Sequence, residues 1–167
     1  MRSKSVIPVQ PQPGQESVWD YPRPPRLDPS SQHVVIEFNG EVIADSRSAI
    51  RVLETSHPPV YYIPPEDVRL EYLQAEQNTS FCEFKGIARY YGLDVNGKRA
   101  ESVAWCYPEP SPGFEAIAHA IAFYPGRVGR ATVDGELVRP QPGTFYGGWV
   151  TDAIVGPFKG EAGTRGW

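Results

Sequence analysis

Three two-residue sequences constrain this chain more than anything else in it. Asn39-Gly40, Asn96-Gly97 and Asp134-Gly135 each stand between runs rich in β-branched, aromatic and alternating apolar residues. Both residues of such a pair tolerate positive φ, which the tight turn of a β-hairpin requires. Val34, Ile36 and Phe38 alternate into the first turn, and Val42 and Ala44 alternate out of it. A second hairpin is predicted over residues 87–107 and a third over residues 130–138. The 18 prolines and 16 glycines argue the same way, because both disfavour helix interiors.

Between the hairpins the pattern stays short. Residues 46–55 admit a helix capped by Ser46, with Ala49, Val52 and Leu53 on one face. They equally admit a strand with Ile50, Val52 and Glu54 on one side. The strand is preferred, since strands flank it and Pro58-Pro59 would end a helix. Residues 60–63 and 120–124 read as strands. Pro64-Pro65-Glu66-Asp67 opens one short helix, with Val68, Tyr72 and Leu73 as its apolar face. Residues 114–119 fit a single helical turn. The fold class is therefore mainly β, with short helical turns.

The ends differ in kind. Residues 1–17 are polar, Pro-rich and aperiodic, which predicts a disordered lead-in. Residues 18–29 hold Trp19 and Tyr21 among several prolines and read as an extended strap packed on the domain, which runs over residues 18–139. Residues 140–167 form an extension of aromatics spaced by glycines. Its rings need a surface to cover, on the domain itself or on a neighbouring subunit, so a homo-oligomer is left open.

Charge and composition exclude several classes. The net charge is −4 and no basic stripe occurs, so no nucleic-acid partner is expected. No apolar run approaches the roughly 20 residues of a membrane helix, and no apolar signal segment follows Arg2 and Lys4. A cytoplasmic location is expected. Cys82 and Cys106 stand alone and the three histidines are scattered, which predicts neither a zinc site nor another cofactor. Both cysteines read as small core residues, with a pairing across the sheet left open. Phosphate-binding glycine loops and the G-x-S-x-G nucleophile elbow are missing.

The richest chemistry lies in ETSHPPVYYIP at 54–64. Glu54 and His57 have the residue types of an acid–base pair. A plainer reading makes Glu54 a structural hydrogen-bond acceptor and turns His57 to solvent. Lys85, before Gly86 in CEFKG, points either into a cleft or into water.

With those residues in view, the chain resembles the family known as domain of unknown function 427, which also carries a nucleotidyltransferase-like label. The likeness rests on VWDYPRPP at 18–25, FNGEVIADS at 38–46 and VLETSHPPVYYIPPEDV at 52–68. It continues through CEFKGIARYY at 82–91, AWCYPEP at 104–110 and IAFYP at 121–125. The resemblance implies a β-tent-like fold, two antiparallel sheets leaning together, as in methionine sulfoxide reductase B and the ligand-binding domain of cereblon. The paired CxxC knuckles of that fold are absent, because Lys85 stands where a second cysteine would be. Nothing in the chain supports nucleotidyl transfer.

Two functions are carried forward. The first is a small-molecule or peptide-binding domain with an aromatic cleft between the two sheets, using Tyr62, Trp105 and Tyr107. The second is an enzyme with an acid–base site built from Glu54, His57 and Lys85. All six side chains are expected to border one concave patch.

Overall fold

All six hairpin turn residues have positive φ, between 49° and 83°, in the computed structural model, which describes residues 6–167. In chain order the first strands are β1 (Glu16–Ser17), β2 (Arg26–Pro29), β3 (Val34–Phe38), β4 (Glu41–Ser46) and β5 (Ile50–Leu53). There follow β6 (Val60–Ile63), β7 (Leu73–Cys82), β8 (Gly86–Val95), β9 (Lys98–Cys106) and β10 (Ile121–Phe123). The last are β11 (Arg130–Val133), β12 (Glu136–Leu137), β13 (Arg139–Pro140), β14 (Trp149–Val150) and β15 (Ile154–Val155). Among the described residues helix is limited to single 3-10 turns.

Two antiparallel sheets dominate. Seven strands run in the order β2-β5-β6-β10-β9-β8-β7, and four in the order β12-β11-β3-β4. The mainly-β class read from the sequence is thus the observed one. Two short pairs, β1 with β15 and β13 with β14, fasten the ends of the chain.

Strand alternation divides the apolar side chains into two clusters. One lies between the sheets: Ile36 and Ile43 from the smaller sheet meet Tyr61, Ile63, Phe123 and Val95 from the larger. The other lies on the opposite face of the seven-stranded sheet. It contains Tyr62, Trp105, Tyr107, Ala122 and Tyr124, and no residue of the four-stranded sheet. Neighbouring positions in a strand point to opposite faces. So Tyr61 and Tyr62, or Trp105 and Cys106, serve different clusters.

Three expectations need restating. The helix expected from Pro64 onward is two separate 3-10 turns, Pro65–Asp67 and Leu70–Tyr72. Val68 between them is extended and bridges to Ala44, which draws its side chain into the core. The strap after Val18 makes one 3-10 turn, then β2 pairs with β5 as an edge strand. Of the expected lead-in, residues 1–5 lie outside the described residues. Further on, Val9 donates its N–H to the Gly156 carbonyl at 2.8 Å, and β1 pairs with β15.

The extension folds back on its own domain. Trp149 is fully buried, donates Nε1–H to the Phe123 carbonyl at 3.0 Å and lies 4.8 Å from the Tyr61 ring. Cys82 and Cys106 are both free thiols. They belong to opposite faces of the larger sheet, so no disulfide joins them.

Candidate functional site

Glu54, His57, Tyr62, Lys85, Trp105 and Tyr107 all border one cavity of about 290 Å³. Its floor is the outer face of the seven-stranded sheet. The sequence expectation of a cleft between the two sheets is therefore corrected: that space is filled by the inter-sheet core, and the cavity opens on the other side. Strand parity is the cause, because Tyr62, Trp105 and Tyr107 occupy the positions that face away from the smaller sheet.

The floor is a cluster of tilted and edge-on rings. Trp105 donates Nε1–H to the Tyr62 hydroxyl at 3.2 Å, and its indole lies 4.6 Å from the Tyr124 ring. Tyr107 is tilted against Tyr62 at 6.3 Å. Burial pushes the Tyr62 and Tyr107 phenols well above their ordinary range, so both stay neutral at physiological pH.

The corner after β5 places Glu54 and His57. Ser56 is fully buried with φ 72°, and the His57 N–H closes a turn onto the Glu54 carbonyl at 3.0 Å. The strap holds this corner through Arg23, which donates to Glu54 Oε2 at 3.3 Å, the Thr55 carbonyl at 2.9 Å and Ser56 Oγ at 3.3 Å. Glu54 thus accepts from the Arg23 guanidinium. His57 does not turn to solvent: its side chain is 13% exposed, with Nε2 3.5 Å from Glu54 Oε2.

The protonation of His57 follows from Gln141. Gln141 Oε1 accepts from the Gly148 N–H at 3.0 Å, and Nε2 donates to the Lys159 carbonyl at 2.8 Å. These bonds orient the amide, so the 3.1 Å contact of Nε2 with His57 Nδ1 is a donation to the ring. The imidazole then carries its proton on Nε2, toward Glu54. Burial is the main cause of a His57 pKa lowered to about 4, against the opposing pull of Glu54; Lys159, Arg23 and Lys85 add to the lowering. The ring is neutral at pH 7.

Lys85 enters from the turn between β7 and β8. Its carbonyl accepts from the Ser111 N–H at 2.9 Å, and its Nζ stands 5.8 Å from the centroid of Tyr107. The residue is only 9% exposed. Its amino group has no hydrogen-bond or ion-pair partner among the described residues, yet it is not sealed from open space.

One wall was not visible in the sequence. Tyr146, Gly147 and Lys159 of the extension border the cavity together with Gln141. Tyr146 packs edge-on against His57 at 4.9 Å, and Lys159 Nζ lies 5.5 Å over the Tyr146 ring. Gly-Gly at 147–148 between aromatics was the available signal: a Cβ at Gly148 would strike Gln141 and Pro58. Among the described residues no group of three or more His, Cys, Asp or Glu side chains could hold a metal ion. Nor is any helix there long and apolar enough to cross a membrane.

No curated protein gives a significant match to this chain. A family model described as a domain of unknown function, DUF427, matches residues 26–135, which supply the aromatic floor, the Glu54–His57 corner and Lys85. On that match the chain belongs to the DUF427 family.

Proposed function

We propose that this protein binds a small molecule in the cavity on the outer face of its seven-stranded sheet. The observation that carries the reading is the make-up of that cavity. Rings of Tyr62, Trp105, Tyr107 and Tyr124 border about 290 Å³ of space, and among the polar groups on its wall Glu54, His57, Gln141 and Lys159 are held by hydrogen bonds or ion pairs. Aromatic walls with a small number of oriented polar groups are the usual composition of a ligand pocket, and this volume is near the lower end of the usual range. That size favours a small molecule over a peptide.

Nuclear magnetic resonance of the indole N–H protons tests this directly. Trp105 Nε1–H bonds Tyr62 at the floor, whereas Trp149 Nε1–H bonds Phe123 in the inter-sheet core. A fragment screen of aromatic compounds should yield binders that move the Trp105 signal and leave Trp149 in place. Binders that move neither, or both alike, would overturn the reading.

The convergence of Glu54, His57 and Lys85 on the same cavity favours a second reading, acid–base catalysis. The hydrogen bonding limits it. Gln141 occupies His57 Nδ1, the lone pair that would take a proton, while Glu54 accepts from Arg23 through Oε2 and keeps Oε1 without a partner among the described residues. The Lys85 amino group likewise has no hydrogen-bond or ion-pair partner among the described residues.

A further inference from the structure

We infer that the ligand is a planar organic monocarboxylate whose anion sits on the amino group of Lys85. The inference deepens the binding reading above and rests on it.

A buried ammonium without a counter-charge is costly, and folded proteins almost always pair one. Lys85 is nine-tenths buried and has no carboxylate within ion-pair distance among the described residues. The carboxylates bordering the cavity do not supply one. Glu54 accepts from Arg23 and faces His57, and Glu83 is exposed and makes no ion pair with Lys85. Lys85 borders the cavity and its Nζ is not sealed, so the missing partner can arrive with a ligand.

The neighbours set the sign and number of charges. Lys159, the other lysine on the wall, directs Nζ at the Trp167 carbonyl at 3.3 Å. His57 is held neutral by burial and contributes no competing positive charge. A cationic ligand would meet two lysines, and the Glu54 carboxylate is already paired with Arg23. A single uncommitted ammonium balances one negative charge, which favours a carboxylate over a dianionic phosphate ester. The aromatic wall of Trp105, Tyr107 and Tyr124 favours a planar body attached to it.

Isothermal titration with four isosteric probes tests the assignment on the unmodified protein: 2-naphthoate, 2-naphthamide, 2-naphthylmethylamine and 2-naphthyl phosphate. Naphthoate should bind about tenfold or more tightly than naphthamide, the ratio expected for a hydrogen bond to a charged group. The amine should bind more weakly than the amide. Lys85→Met should bring naphthoate and naphthamide within about twofold of each other, and Lys85→Arg should keep the preference. Thermal melts of both variants check that they fold, and the wild-type series stands without them. Amide binding as tight as the acid overturns the charge assignment and leaves the pocket reading intact. Phosphate ester binding well above naphthoate overturns the monocarboxylate class. A preference that survives in Lys85→Met overturns the role of Lys85. Silence from all four probes removes the pocket reading and this inference with it.

Discussion

Gly147 lies against the six-membered ring of Trp105, so closely that one methyl group on its Cα would overlap Cη2 and Cζ3 of the indole. The extension thereby closes over the aromatic floor with backbone where any side chain would not fit. Gly147→Ala should displace the segment or tilt Trp105, at a cost of about 1–3 kcal/mol, the range for overpacking. Urea unfolding measures it. An unchanged midpoint would mean that the segment is free to lift away.

Trp149 fixes that segment from below. It fills the inter-sheet core and spends its one donor on the Phe123 carbonyl. Trp149→Ala should cost about 3–5 kcal/mol, as for other large aromatic truncations. If equilibrium unfolding shows a loss under 1 kcal/mol (roughly the cost of a minor core change), the extension is not part of the core.

His57 gives the fold an acid-sensitive joint. Its pKa is about 4 in the folded protein against 6.5 in the unfolded chain, mainly through burial. Between those values the unfolded state binds the extra proton, so stability rises with pH across this window and falls on acidification. The contribution present above pH 6.5 is on the order of 3 kcal/mol and is lost as pH approaches about 4. His57→Gln keeps an acceptor for Gln141 and cannot titrate. Its stability profile should therefore be flatter than wild type over this window, as read from denaturant melts at stepped pH. Parallel profiles would assign the acid loss elsewhere.

Arg51 ties the amino-terminal strand to the sheet edge. Its guanidinium meets Glu16 at 2.9 and 3.1 Å and Asp28 Oδ2 at 2.6 Å, with its own side chain 12% exposed. Hydrogen bonding to Arg51 is the first cause of the lowered Glu16 pKa. Arg51→Met should cost about 1–3 kcal/mol and strand two carboxylates at the edge. Limited proteolysis should then cut between Val9 and Ser17 first. Protection equal to wild type there would show that β1 holds without the ion pairs.

What could be read from the sequence was local. Asn39-Gly40, Asn96-Gly97 and Asp134-Gly135 specify turns through their own backbone preferences, and Val34, Ile36 and Phe38 declare one buried face. β7 escaped notice because it is a largely exposed edge strand, and QAEQNTS has no apolar period to detect. β1, β13, β14 and β15 have two residues each, too few for any period. At the site, Glu54, His57 and Lys85 stood out by residue type. Gln141 did not, because its meaning comes from a bond to a ring 84 positions earlier in the chain. The cavity was expected on the wrong face for a related reason. β6 and residues 103–106 of β9 are apolar on both sides, and only the docking of the smaller sheet decides which side becomes interior.

The two-faced sheet separates mutational demands along a single stretch of chain. At positions 61, 63, 106 and 123 selection acts on the joint between the sheets. At positions 60, 62, 105, 107 and 124 it acts on the lining of the cavity. Substitutions at alternate residues of β6 and β9 therefore reshape the cavity lining, while the neighbours of those residues hold the joint between the sheets.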